Sequence, residues 1–185
     1  MDLFEEYLKN GNKYVVQALT DDSYNAYRCR GIRKKDPHFE EVQNPLSTNF
    51  DMATYGDAIL KMILMDYLWD KESQPTIEKS GLESDLMLVE VIARHYNILE
   101  YLRYDTGDND PQGQNHLPQN YDYRKNTNSN KNPHKYIATC VEAMIAAIYL
   151  DSPKENFEKL RQLITEQWVP MIRASEVYAE WRAKQ

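Results

Sequence analysis

Two strongly apolar segments of this chain, each long enough for a core helix, carry one carboxylate where a hydrophobic residue would be expected. The first runs from Met52 to Trp69 and holds Asp57; the second runs from Tyr136 to Leu150 and holds Glu142. A lone acid on a buried helix face is costly unless it is paired, hydrogen-bonded or bound to a metal. Two such acids, one per helix, can share a divalent cation between packed helices. Asp57 and Glu142 therefore constrain both how the two segments pack and what the chain can do.

With 185 residues the chain supports one well-buried domain. A mean hydropathy of -0.75 and 42% hydrophobic residues predict a soluble globular protein. Net charge is -7 and the pI about 5.2, so contact with nucleic acid requires local basic patches or metal. Cys29 and Cys140 have neither metal-ligand nor disulfide-framework spacing, which fits a reducing compartment. The N-terminus has no apolar signal core, and the longest apolar run falls short of the roughly 20 residues that span a bilayer. The expectation is a cytoplasmic or organelle-matrix protein with no membrane role.

Hydrophobic spacing is helical nearly throughout, with no strand alternation and no internal repeat, so the fold class is all-α. Residues 2–19 predict two short helices broken at Gly11 and Asn12. Residues 28–48 predict a loop, 52–70 a core helix, and 82–96 a further helix after a start near Thr76. A short helix is expected at 98–101. The polar stretch 105–134 is a long loop, of a length that marks functional or disordered segments. Helices follow at 136–150 and 155–168, with Pro170 breaking or kinking the second, and an amphipathic segment ends the chain. The domain is placed at 1–172 and a helical tail at 173–185.

The motif order resembles the endonuclease domain of the ribonuclease III family. The run Gln17-Ala-Leu-Thr-Asp-Asp-Ser-Tyr24 is similar to that family's early A-L-T-H-x-S-Y. Asn49-Phe-Asp-Met-Ala-Thr-Tyr-Gly-Asp-Ala-Ile-Leu60 resembles its signature N-E-R-L-E-F-L-G-D-A-V-L, and Ala138 to Asp151 resembles A-D-x-F-E-A-L-I-G-A-I-Y-L-D. Phe157 to Arg161 and Trp168 to Ile172 resemble its closing helix. The likeness spans roughly residues 5–172.

This chain also departs from the family, which gathers four acids around its metals. Asp57 and Glu142 match two of them, while the other two positions hold Ala53 and Thr139, each on the same helix face as its retained acid. Phe50 replaces the signature's first Glu, and Thr54 replaces the aromatic through which the family dimerises. The bacterial Mini-III branch has a similar Ala-Tyr-x-Gly-Asp motif and a small residue before the second Glu, which keeps a two-carboxylate site in play.

The resemblance implies metal-dependent endonucleolytic cleavage of double-stranded RNA by a homodimer joined near Met52 to Tyr55. Asp57 and Glu142 would be catalytic ligands of Mg²⁺, with Mn²⁺ as a substitute, because hard cations take carboxylate oxygens. Glu83 and Asp85 are candidate supporting acids. The bland readings are a core Asp57 bonded to Lys61 and a Glu142 bonded to Thr139 or a tyrosine. Gly56 reads as close helix packing. Two basic clusters could meet RNA phosphate: Arg28, Arg30, Arg33, Lys34 and Lys35, and Arg124, Lys125, Lys131, His134 and Lys135; the alternative is solvated surface. No double-stranded-RNA-binding domain is expected after residue 172, which leaves affinity to the nuclease domain, a dimer or a partner. The rival function is a catalytically inactive relative serving as a structural or RNA-binding subunit of an RNA–protein complex.

Overall fold

The structure is a computed structural model, and it describes residues 1–21, 24, 47–103 and 135–185. Among these residues every regular element is helical, and strand-like pairing is limited to an isolated parallel bridge between Thr20 and Arg103. The fold is all-α. Residues 28–46 of the expected loop, both expected basic clusters apart from Lys135, and the loop 105–134 lie outside the described residues.

Helices α1 (Leu3–Lys9) and α2 (Lys13–Ala18) part at Gly11, as the sequence implies. Asp2 accepts from the Glu5 amide, and Asn12 accepts from the Tyr14 and Val15 amides. These caps satisfy donors that a helix start leaves unpaired. Helix α3 (Phe50–Leu68) buries Met52, Ala53, Gly56, Ile59, Leu60, Ile63, Leu64 and Leu68, a three-and-four spacing that turns one side to the core. Helix α4 (Pro75–Leu82) carries its proline in the first turn, where the missing amide costs nothing.

The start expected near Thr76 is α4, and the helix expected over 82–96 begins three residues later. Helix α4 ends at Leu82, and α5 (Asp85–Met87) starts afresh at Ser84, whose extended backbone and hydroxyl cap the new helix by accepting from the Met87 amide. The strong capping preference of serine outweighs apolar periodicity here. A π-helical stretch, Leu88–Ala93, follows directly, and Asn97 at φ 50 leads into a 3₁₀ turn at Ile98–Glu100.

Helix α6 (Lys135–Asp151) is the second core helix. Helix α7 (Pro153–Gln162) passes through a π-helical stretch, Leu163–Trp168, into α8 (Val169–Arg173), so the chain stays helical past Pro170. Proline lacks the amide needed to bond four residues back, and a π-helical turn just before it already departs from that pairing. Helix α9 (Glu176–Arg182) follows a cap from Ser175 and lies against α4.

Helices α3 and α6 share the most extensive contact in the structure. Their approach is permitted by small residues: Gly56 on α3 lies against the backbone of Glu142 and Ala146 on α6. A β-carbon at Gly56 would overlap the Glu142 carbonyl oxygen. The glycine therefore sets the depth of the crossing, in agreement with its reading as a packing residue. Phe4, Tyr96 and Trp168 close the far end of the core, with Phe4 4.6 Å from Tyr96 and 5.3 Å from Trp168 between ring centroids.

Residues 173–185 dock on the same body. Arg173 donates to Glu78 at 3.0 Å from Nε and 2.8 Å from Nη2, and to Glu72 at 2.7 Å. The Tyr178 hydroxyl also donates to Glu78, and Trp181 covers Gly81. Glu78 is buried, so these donors satisfy a carboxylate that would otherwise be costly there. The cluster holds α4, and thereby the turn leading into α5.

Candidate active site

The crossing at Gly56 brings the next residue of α3, Asp57, beside Glu142 of α6. Both line one cleft of about 510 Å³ between α3, α6 and the α4–α5 turn. Ala53 and Thr139 line the same cleft, so the helical spacing that places them beside the two acids holds in three dimensions. Glu83 and Asp85 enter from the α4–α5 turn, with Ser80 and Ser84 beside them. Lys61 and Lys135 also line it, and Phe50, 67% exposed, stands at the rim.

The four carboxylates are not equivalent. Lys61 Nζ donates to Asp57 Oδ2 at 2.6 Å, one helical turn away. Glu83 is engaged through both oxygens by Lys79, each at 2.8 Å. Glu142 is different: burial, then the facing carboxylates of Asp57 and Asp85, push it from an ordinary 4.5 up to about 7, against the opposing pull of Lys135 and Lys61. The Lys61 ammonium is held above its usual range, chiefly by its hydrogen bond to Asp57, with further pull from Glu83 and Glu142.

The cleft thus has an excess of negative charge centred on Glu142. Among the described residues no three His, Cys, Asp or Glu side chains gather closely enough to form a closed metal cage. The donor set suits a hard, oxygen-seeking cation such as Mg²⁺, which takes one or two carboxylates and keeps most of its waters. An open, two-acid wall with room for water and substrate fits that demand.

The two acids singled out from sequence line the same cleft, and Asp57 and Asp85 both couple electrostatically to Glu142. Glu83 lines the cleft with its charge already offset by Lys79. Of the ten residues in the two basic clusters, Lys135 is the one that the structure describes, and it stands at the cleft. Ser80 and Ser84 also line the cleft, a placement no sequence spacing signals, since none links the end of α4 to α3 or α6. Met52, expected at a dimer contact, is buried at 5% exposure in the domain's own core, whereas Tyr55 is 43% exposed beside Tyr149.

The site is a polar cleft between two crossed core helices of an all-α domain, with one acid from each helix on its wall. The ribonuclease III domain family model matches residues 51–153, more than half of the chain. The chain belongs to the ribonuclease III domain family. It is also similar to curated proteins named Ribonuclease 3 from two strains of Clostridium kluyveri, each 28% identical over 183 residues, covering 93% of this chain. The chain spans about 60% of the length of those relatives. Among the described residues no helix is long and apolar enough to cross a membrane.

Proposed function

We propose that the chain is a divalent-metal-dependent endoribonuclease that cleaves double-stranded RNA, with Asp57 and Glu142 as the residues that hold the cation. The observation that carries this reading is the convergence of the two acids at the Gly56 crossing, with Glu142 raised to about 7 by burial and by the acids around it. A site that resists its own ionisation gains most from a bound cation. When bound, Mg²⁺ or Mn²⁺ supplies activation of water and stabilisation of charge on the phosphate.

The chain's own part follows from the cleft. Asp57 and Glu142 fix the cation's position because each projects from a helix whose neighbours are locked in the core. Asp85 adds negative charge from a third element and can orient water. Lys135 lies at the entrance to α6 and offers a positive contact to the RNA backbone. The outer face of α3 presents Tyr55 and Met62, with Phe50 at its start and Trp69 just past its end, and a homodimer through that face would join two clefts for paired cutting. The Arg28–Lys35 and Arg124–Lys131 clusters are proposed as further phosphate contacts. A cytoplasmic or organelle-matrix location remains part of the same proposal.

A second reading has its own supporting observation. Ala53 and Thr139 leave the cleft two acids short of the family pattern, and Lys61 already neutralises Asp57. Those features suit a catalytically inactive subunit of an RNA–protein complex. The two readings separate by incubating the purified chain with matched single- and double-stranded RNAs, with Mn²⁺ or with EDTA. Metal-dependent cutting of the duplex alone is expected; binding of duplex RNA without cutting in any metal would favour the inactive subunit.

A further inference from the structure

Lys61 stands out within the cleft. It is on the helix that carries Asp57, and its side chain remains 46% exposed, so burial does not trap it against its partner. Its ammonium bonds Asp57 while also feeling Glu83 and Glu142, which places it in the field of three cleft acids. Lysine is a compact charge on a flexible stem, able to leave one oxygen for another at little cost. An exposed pair at this helical spacing is weak, well below the attraction of a carboxylate for a divalent ion in the same place.

We propose that Lys61 is a displaceable internal cation: it holds Asp57 in the metal-free protein, yields that carboxylate when a divalent ion binds, and then turns its freed ammonium to the RNA phosphate at the cut. The inference rests on the metal-dependent reading above and assigns Lys61 two linked tasks. In the metal-free state it offsets the charge of Asp57 beside Glu142, which keeps the two-acid wall from repelling itself apart. In the loaded state it supplies a positive charge on the substrate side of the cleft, in a site that has fewer acids to hold cations than its family's pattern.

The two tasks have opposite signatures on replacement. A positive charge that competes with metal weakens metal binding, whereas one that contacts phosphate speeds cleavage. Lys61→Met keeps an unbranched side chain of nearly the same length and removes its charge, and Lys61→Arg keeps the charge. Mn²⁺ binding is measured by titration calorimetry without RNA, and duplex cleavage is measured in single turnover at saturating Mn²⁺. Lys61→Met is expected to bind Mn²⁺ about three- to tenfold more tightly than wild type and to cleave about tenfold more slowly or worse. Lys61→Arg is expected to restore part of the cleavage. Unchanged or weaker Mn²⁺ binding by Lys61→Met overturns the proposal, as does unchanged cleavage at saturation. Either result, alongside Asp57-dependent Mn²⁺ binding and cleavage in wild type, leaves the nuclease reading intact; a wild type that takes up no Mn²⁺ overturns both.

Discussion

Gly56 of α3 lies directly against the backbone carbonyl of Glu142 on α6, close enough that any β-carbon at residue 56 would overlap that oxygen. This contact fixes the spacing of the two candidate acids, because Asp57 is the next residue along α3. The contact is with main chain, so no change of rotamer can relieve it.

Gly56→Ala is therefore expected to cost stability and site geometry together. Overpacking of a tight core typically costs about 1–3 kcal/mol, and the clash here is with main chain, which places the expected loss at the upper end. Urea unfolding of wild type and variant measures the loss. An Ala variant of wild-type stability would show that the helices do not cross as described.

Glu142 makes the metal-free protein sensitive to pH in a defined direction. Its carboxyl is raised from 4.5 to about 7 in the fold, so the native state binds the proton more tightly than the unfolded chain. This contribution is fully present below about pH 4.5 and is lost as pH rises through about 7. Glu142→Gln removes the dependence. In EDTA, the variant should gain about 1–2 kcal/mol over wild type between pH 4.5 and pH 8, a figure discounted for the solvent that reaches this partly exposed group. Paired urea titrations at the two pH values measure it; a Gln variant that loses ground at pH 8 would contradict the electrostatics of the cleft.

The helix pair and its acids were legible in the sequence because they rest on local patterns. Apolar spacing marks α3 and α6, and an acid interrupting each is visible without any partner. Gly56 could be read as packing for the same reason. The Glu78 cluster was not legible: its partner Arg173 lies 95 residues away, and nothing local to α4 signals that its acid is buried. The break between α4 and α5 falls at Ser84, a few residues later than expected, and the chain stays helical past Pro170, because capping and π-helical pairing overrode apolar period and proline's usual effect. Lys61 was visible as a partner for Asp57 but not as a member of the cleft, since its proximity to Glu83 and Glu142 depends on the tertiary fold.

Arg173→Met should test the unforeseen cluster. It leaves buried Glu78 with Tyr178 and a distant Arg182, at 3.7 Å. Breaking a buried pair by removing one partner costs about 3–5 kcal/mol, and the partial exposure of Arg173 puts the expected loss nearer 2–3. Chemical denaturation reads the loss. The double variant Arg173→Met with Glu78→Met should recover much of it, because no buried charge is then left unpaired.

Ala53→Glu with Thr139→Asp should strengthen metal binding, since both positions line the cleft beside Asp57 and Glu142. In EDTA the same pair should lower stability, because four acids then repel one another without a cation. Thermal shift with and without Mg²⁺ reads both effects, and a Mg²⁺ response no larger than that of wild type would place the added acids away from the ion.

The proposed function requires Asp57 and Glu142 together to hold a catalytic cation. Its most direct test is duplex-RNA cleavage by wild type, Asp57→Asn and Glu142→Gln across a Mg²⁺ titration, with each variant's fold checked by circular dichroism. Mg²⁺-dependent cleavage is expected of wild type, with its loss, by about a hundredfold or more, in each folded variant. Cleavage that persists in either variant, or a wild type that neither cuts duplex RNA nor responds to Mg²⁺, would contradict it.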